Sequence, residues 1–95
     1  MAVPDFESLM NPVLKIYEKR NAELRPHDIE DEIADLFNLS EKEKNEIIPS
    51  NTQTVLHNRV AWAVCYLFRA GLLEKPKRGY YKISKAGSQK KQNRQ

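Results

Sequence analysis

The chain has 95 residues, of which 40% are hydrophobic and 31% charged, a composition typical of one small globular domain and not of a disordered segment. No apolar run reaches the roughly 18 residues that a membrane span needs. The N-terminus lacks the basic and apolar blocks of a secretory signal. The single cysteine, Cys65, excludes an intramolecular disulfide, so we predict a reducing, cytoplasmic location and no membrane association.

The net charge of +3 hides an uneven distribution along the chain. Residues 1–50 contain six Lys/Arg and twelve Asp/Glu, a net charge of −6, whereas residues 51–95 contain ten Lys/Arg and one acid, a net charge of +9. A strongly basic half within so small a domain predicts a surface for a polyanion. The alternative is a surface that is asymmetric but merely solvated.

The acidic half begins with two predicted amphipathic helices. The first spans residues 5–20 and is capped by Asp5, and Pro12 either kinks this helix or delays its start by one turn. A loop follows over residues 21–25. The second helix spans residues 27–39, and its many acidic side chains should point away from any nucleic acid. Its predicted apolar face comprises Ile29, Ile33, Leu36 and Phe37.

Two capping boxes mark the next helix starts. They are formed by Ser40 with Glu43 and by Ser50 with Gln53. The first box predicts a short helix over residues 41–48. The second predicts a long helix that is polar at first, becomes apolar, and ends near Ala70, with Gly71 as its cap. The core side chains of the long helix are predicted to be Val55, Val60, Ala63, Val64 and Leu67, with Trp62 and Tyr66 on an adjoining stripe that is also assigned mainly to the core.

A β-hairpin is predicted after the long helix. Residues 72–74 and 80–84 form its strands and the basic segment KPKRG, residues 75–79, forms its turn. The domain is predicted to span residues 1–87, and residues 88–95 to form a basic flexible tail.

This order of elements predicts a mainly α-helical, winged helix-turn-helix fold with three to four helices and a C-terminal two-stranded wing. In that architecture the first turns of the recognition helix enter the major groove of double-stranded DNA. This arrangement explains why the side chains of the long helix change from polar to apolar, because its early turns would face DNA while its later turns cross the core.

Two segments supply the candidate DNA-binding residues. The start of the long helix offers backbone N–H groups for a phosphate and amide side chains for base edges. The wing tip offers cations for the DNA backbone or minor groove, with an aromatic ring beside them. The candidates are Ser50, Asn51, Thr52, Gln53, Thr54, His57, Asn58 and Arg59 in the helix, and Lys75, Lys77, Arg78 and Tyr80 in the wing.

Each candidate also has a purely structural interpretation. In that interpretation Gln53 is simply the capping partner of Ser50, and His57 is a solvated surface imidazole. Arg59 can form a salt bridge with the acidic helix, and the wing tip can be basic for solubility alone.

Sequence motifs for catalysis or metal binding are absent. The two histidines, His27 and His57, are far apart in the sequence, and Cys65 is the only thiol, so a structural zinc site is not expected. The three glycines form no phosphate-binding loop. We therefore predict no metal, no cofactor and no enzymatic activity for this chain.

Across residues 6–87 the sequence resembles the N-terminal domain of Mrr-type restriction endonucleases. The resemblance lies in LMNPVLKIYEK, in the segment from LSEKEK to KPKRGYYKIS, and in the closing KAG. The matching positions are Leu9, Pro12, Val13, Leu14, Leu39, Ser40, Glu43, Pro49, Ser50, Gln53, Thr54, Asn58, Arg59, Val60, Trp62, Tyr66, Leu67, Ala70, Gly71, Leu72, Leu73, Pro76, Arg78 and Gly79.

This resemblance implies a winged-helix DNA-binding domain that precedes a nuclease domain of the PD-(D/E)-x-K type, in enzymes that cut foreign and often methylated DNA. The acid-acid-lysine metal site of such a nuclease matches no residue of this chain. We therefore expect a DNA-binding module of a restriction system, covalently linked to a nuclease domain in the native protein, with a homodimer as a further possibility. The alternative is a winged helix for protein interaction or dimerisation, and an enzyme in its own right is the least favoured hypothesis.

Overall fold

The computed structural model describes residues 5–50 and 53–87, and the predicted tail at 88–95 lies outside them. Four α-helices and a 3₁₀ turn precede an antiparallel two-stranded sheet, which confirms the predicted mainly helical winged-helix fold. The elements are α1 (Phe6–Arg20), the 3₁₀ turn η1 (Pro26–Ile29), α2 (Glu30–Leu36), α3 (Glu41–Lys44), α4 (Val55–Arg69), β1 (Leu73–Lys77) and β2 (Tyr80–Ile83).

The core lies mainly between α1 and α4. Leu9, Val13 and Tyr17 of α1 and Val60 and Val64 of α4 are completely buried. All five core positions predicted for the long helix are buried. Burial of each large apolar side chain stabilises the fold by about 1.5–3 kcal/mol, so this helix pair provides the frame on which the other elements pack.

The first helix begins where the sequence predicts. The Asp5 carboxylate accepts a hydrogen bond from the Ser8 backbone N–H at 2.9 Å, which confirms Asp5 as the N-cap. Pro12 lies inside α1, yet the helix still begins at Phe6, so the predicted alternative of a later start is wrong.

The predicted loop at residues 21–25 contains a strand-like pairing that the sequence did not indicate. The Leu24 N–H donates to the Tyr81 carbonyl at 2.8 Å, and the Tyr81 N–H donates to the Leu24 carbonyl at 3.0 Å. The buried Tyr17 hydroxyl also donates to the Leu24 carbonyl, at 2.8 Å. Burial raises the pKa of Tyr17, so the phenol stays protonated and remains a donor. These bonds attach the wing to α1.

The second helix is shorter than the predicted span of residues 27–39. On the predicted apolar face of this helix Ile29 and Ile33 are buried, but Leu36 is 63% exposed. The reason is that α2 ends at Leu36, and Asn38 then adopts a left-handed conformation with a φ of 56°. This turn brings Leu39 back against the core instead.

The capping box of Ser40 and Glu43 is confirmed. The Ser40 N–H donates to the Glu43 carboxylate at 2.8 Å, and the Glu43 N–H donates to the Ser40 hydroxyl at 3.1 Å. The helix that follows, α3, ends at Lys44 and does not continue to residue 48 as predicted.

The long helix starts later than predicted, because the chain before it forms a backbone pairing. The Ile48 N–H donates to the Gln53 carbonyl at 3.1 Å, and the Val55 N–H donates to the Glu46 carbonyl at 2.8 Å. Residue 53 is therefore held outside the helix. Thr54 is the N-cap of α4, and its hydroxyl accepts from the His57 N–H at 3.0 Å. The prediction that Ser50 begins this helix is wrong.

The end of α4 is confirmed in detail. Gly71 adopts a φ of 83°, and the N–H groups of Gly71 and Leu72 donate to the carbonyls of Phe68 and Leu67, both at 3.0 Å. This is a Schellman motif, whose left-handed residue is favourable for glycine. The helix end thereby directs the chain into the wing.

In the wing, β1 pairs with β2 in the register Leu73↔Ile83 and Lys77↔Tyr80. The strand runs to Lys77, so the predicted five-residue turn is reduced to Arg78 and Gly79. An irregularity between Glu74 and Lys77 accommodates Pro76, which has no N–H for the ladder. Gly79 has a φ of 82°, as a tight turn requires.

We expect Tyr17→Phe to reduce the free energy of unfolding by about 1–2 kcal/mol, because the buried Leu24 carbonyl loses a hydrogen-bond donor. Urea denaturation followed by circular dichroism measures this loss. Tyr80→Phe, at a partly exposed position of β2, is the control and should change stability by less than about 0.5 kcal/mol. Equal effects of the two substitutions would contradict the role given to Tyr17.

Candidate nucleic-acid interface

The start of α4 differs from the predicted cluster of polar side chains. Gln53 and Thr54 precede the helix instead of forming its first turn, and Ser50 lies in an exposed turn. Asn51 and Thr52 lie outside the described residues. The first helical turn contains the buried Val55 and Leu56. Gln53 and Thr54 therefore belong to the segment that pairs with residues 46–48 before the helix begins.

The outward face of α4 carries an open groove. It is lined by Gln53, Asn58, Ala61, Trp62 and Cys65. Trp62 is 46% exposed, so its assignment to the core is wrong. The helical spacing explains this, since positions 58, 61, 62 and 65 lie on the side opposite the buried positions of α4. The groove combines two amides, which can pair with an adenine edge, with apolar surface that can contact a base methyl group.

His57 lies against the beginning of α2. Its Nδ1 contacts a carboxylate oxygen of Glu30, and His27 Nδ1 lies 3.6 Å from the other oxygen of Glu30. His57 is therefore neither a simple solvated imidazole nor far from acidic side chains. Glu30 is turned toward α4 because α2 and η1 pack directly on that helix, and the prediction that the exposed acidic side chains of α2 point away from nucleic acid stays a prediction.

Arg59 lies on another side of α4, toward the start of α1. The pKa of Asp5 is lowered first by its hydrogen bonds from Ser8 and further by the positive charge of Arg59. Arg59 is partly buried. Its electrostatic role thus includes the N-cap of α1, in addition to any contact with a ligand.

The wing presents its cations on exposed positions. Lys75, Lys77 and Arg78 are all exposed. The Lys77 Nζ lies 3.7 Å from a Glu23 carboxylate oxygen and 4.5 Å from the centroid of the Tyr80 ring. An exposed ion pair of this kind contributes at most about 1 kcal/mol, so a phosphate group can replace Glu23 as the partner of Lys77.

Arg25 joins the wing to the 3₁₀ turn, a position that the sequence did not indicate. Its guanidinium lies 5.8 Å from the centroid of the Tyr80 ring and donates to the two Asp28 carboxylate oxygens at 3.1 and 3.3 Å. The hydrogen bonds with Asp28 raise the pKa of Arg25, and those from Arg25 lower the pKa of Asp28. The only sequence signal for an ordered Arg25 is the proline that follows it, because proline favours the start of a turn.

Residues 23–30 therefore form a bridge between the two candidate segments, and we call them the bridging segment. Its first half contacts the wing through Glu23, Leu24 and Arg25. Its second half contacts the first turn of α4 through the Glu30–His57 pair. The wing and the start of α4 are thus connected by eight consecutive residues.

None of the helices in the described part of the chain has the length and apolar character of a membrane-spanning segment.

Asp28→Asn should lower stability at neutral pH, by less than about 1 kcal/mol because the pair with Arg25 is exposed. The pKa of Asp28 is lowered in the folded protein. Its carboxylate therefore contributes to the free energy of unfolding above the unfolded-state pKa of about 3.9, and this contribution is lost as the pH falls through the folded-state pKa. Urea midpoints of wild type and variant should therefore differ at pH 7 and converge near pH 2. Asp35→Asn, at an exposed position of α2, is the control, and an equal pH-dependent difference there would contradict the role of Asp28.

Comparison with known proteins identifies the family of this sequence. The family model described as the Mrr N-terminal domain matches residues 6–93. The type IV methyl-directed restriction enzyme EcoKMrr of Escherichia coli strain K12 is 31% identical over 87 residues, which cover 92% of this chain and 28% of that enzyme. The chain thus spans less than a third of the length of this curated relative. No solved structure matches the chain significantly. On the strength of the family match over nearly its whole length, the chain belongs to the Mrr N-terminal domain family.

Proposed function

We propose that this chain is a double-stranded DNA-binding module of a restriction system. The observation that carries the proposal is the bridging segment, which links the start of α4 to a wing with three exposed cations. Membership in the Mrr N-terminal domain family supports the restriction system. The basic half of the chain, with its net charge of +9 over residues 51–95, is suited to the phosphates of a duplex.

In the proposed complex the outward face of α4 enters the major groove, and the wing contacts the backbone or minor groove. Gln53 and Asn58 are the side chains proposed for base edges. Thr54, His57 and Arg59 remain proposed contacts, with Arg59 on another side of α4, toward the start of α1. Lys75, Lys77 and Arg78 would bind phosphates, Tyr80 would touch a sugar, and Arg25 is added by its place beside that ring. Ser50, Asn51 and Thr52 complete the proposed contacts.

The exposed apolar side chains of α4 favour a modified base as the target. Trp62 and Ala61 lie in the same groove as Asn58, so an amide and apolar surface would meet the same few base pairs. The related enzyme from Escherichia coli is methyl-directed. We propose that Trp62 and Ala61 contact a methyl group that projects into the major groove, while Asn58 pairs with a neighbouring base edge.

Cleavage is proposed to reside in a separate, covalently linked nuclease domain. The chain covers 28% of the related restriction enzyme, which leaves ample length for such a domain there. The binding module would then position the nuclease domain on DNA. Purified 95-residue chain should bind duplex DNA but should not cut it in the presence of Mg²⁺.

Removing the wing cations tests the proposed interface. The triple variant Lys75→Ala, Lys77→Ala, Arg78→Ala should bind all duplexes more weakly, and the slope of log K against log[salt] should fall by about 2–3, because each phosphate contact contributes about 0.9. Fluorescence anisotropy titrations between about 50 and 200 mM salt measure both quantities.

The matched control is the triple variant Lys15→Ala, Lys19→Ala, Lys42→Ala, which removes the same charge from exposed positions of α1 and α3. It should change affinity and slope much less than the wing variant. Equal effects of the two variants would show that net charge alone governs binding, and unchanged binding of the wing variant would reject the wing assignment.

Trp62→Ala should reduce the preference for methylated over unmethylated duplex by about fivefold, which corresponds to one methyl contact of about 1 kcal/mol. Competition titrations with methylated and unmethylated pools measure this preference. Leu36→Ala removes an exposed apolar side chain outside the interface and serves as the control. A preference that survives in Trp62→Ala unchanged would reject the methyl contact.

A second candidate function is protein interaction or dimerisation. It is favoured by the exposed Leu36, which lines an open groove with Pro12 and Ile16 between α1 and α2. A tight dimer in sedimentation experiments, without affinity for DNA at moderate salt, would support this function over DNA binding. Leu36→Glu should then dissociate the dimer.

A further inference from the structure

A cluster of two imidazoles and one carboxylate lies where η1, α2 and α4 meet. His27, Glu30 and His57 each offer a ligand atom, and these atoms all lie within 4.8 Å of one another. His27 and Glu30 are three residues apart on one helical turn, so they share a face, whereas His57 comes from α4. The sequence expectation against a metal site rested on the separation of the two histidines, and folding removes that separation.

Glu30 is the member of the cluster that most needs a cation. Its side chain is only 13% exposed, and a carboxylate that is largely removed from water is unfavourable unless a positive charge or several hydrogen bonds compensate. Among the described residues, its ion-pair contacts are the two histidines and include no lysine or arginine. The hydrogen-bond contact with His57 Nδ1 compensates part of this cost, and a divalent ion between the carboxylate and both rings would compensate more.

The donor set suits zinc, and one of its separations already matches a zinc site. Two imidazole nitrogens and a carboxylate oxygen are ligands that Zn²⁺ binds in proteins, at roughly 2.0–2.2 Å, which places tetrahedral ligand atoms roughly 3.3–3.6 Å apart. The His27 Nδ1 and the nearer Glu30 oxygen are 3.6 Å apart. His27 is 73% exposed, so its ring can rotate toward the ion, whereas the direct contact between His57 Nδ1 and Glu30 has to open for the ion to enter between them. A fourth ligand position stays open to solvent.

We propose that His27, Glu30 and His57 bind one Zn²⁺ ion per chain. The ion would fasten η1 and α2 to the first turn of α4 and thereby hold the bridging segment against that helix. This role is structural and requires no reaction at the metal. The assignment concerns the free domain, so it does not depend on whether the domain binds DNA.

Titration with Co²⁺, monitored by its visible absorption, tests the site in untagged protein. Wild type should bind one Co²⁺ per chain, and Zn²⁺ should displace it. At a free Zn²⁺ concentration about 100 times Kd, the melting temperature should rise by roughly 10 °C and return on addition of EDTA. Failure of wild type to take up either ion would overturn the proposal.

The chain contains two histidines, and both lie in the cluster, so variants separate this site from adventitious binding. His27→Gln changes an exposed side chain and should keep the circular dichroism spectrum of wild type while weakening Co²⁺ binding by roughly tenfold or more. Glu30→Gln should weaken binding to a similar extent. Cys65→Ser, which removes the only thiol at a distant turn of α4, is the control and should leave the Co²⁺ affinity unchanged.

Two further outcomes would overturn the assignment. Unchanged Co²⁺ affinity in His27→Gln would exclude that ring as a ligand, and loss of binding in Cys65→Ser would locate the ion elsewhere. All measurements are made without DNA. A failure here therefore leaves the DNA-binding proposal intact, and a failure of the wing variants leaves the metal assignment intact.

Discussion

The buried hydrogen bond from the Tyr17 hydroxyl to the Leu24 carbonyl determines where the basic wing can lie. A two-stranded hairpin is at best marginally stable by itself, so the wing needs a further partner. Leu24 provides it through two backbone hydrogen bonds with Tyr81, and Tyr17 holds Leu24 against α1. The apolar core, the loop after α1 and the wing are thereby joined into one unit.

The fourth helix serves two purposes through its two faces. The inner face buries Val60, Val64 and Leu67 against α1 and the wing base, and the Schellman motif at Gly71 directs the chain into β1. The outer face leaves Trp62 and Asn58 in an open groove. Trp62 lies beside the Tyr66 ring, with 5.8 Å between the ring centroids, and its exposed surface is the part that we propose for contact with a base in the major groove.

Acidic side chains have a more local role than the overall charge division implies. Asp28 organises the bridging segment by binding Arg25, and Glu30 draws both histidines to the base of α4.

The sequence by itself determined the features that depend on local spacing. Helical periodicity identified α1 and α4, the Asp5 cap and the Ser40–Glu43 capping box marked two helix starts, and Gly71 marked a helix end, because each involves neighbours within four residues. The winged-helix fold followed from the order of these elements. The resemblance to the Mrr N-terminal domain, carried by motifs across the chain, agreed with the later family match.

Only the tertiary structure decided contacts between segments that are distant in the chain. The pairing of Glu46 and Ile48 with residues 53–55 moved the start of α4 to Val55, against a capping box at Ser50 that was locally plausible. Exposure of Leu36 depends on which neighbours cover it, and helical periodicity does not reveal this for a residue on the same face as the buried Ile29 and Ile33. The pairing of Leu24 with Tyr81 and the meeting of His27 with His57 arise because chain folding brings together groups 57 and 30 residues apart, a proximity that no local pattern encodes.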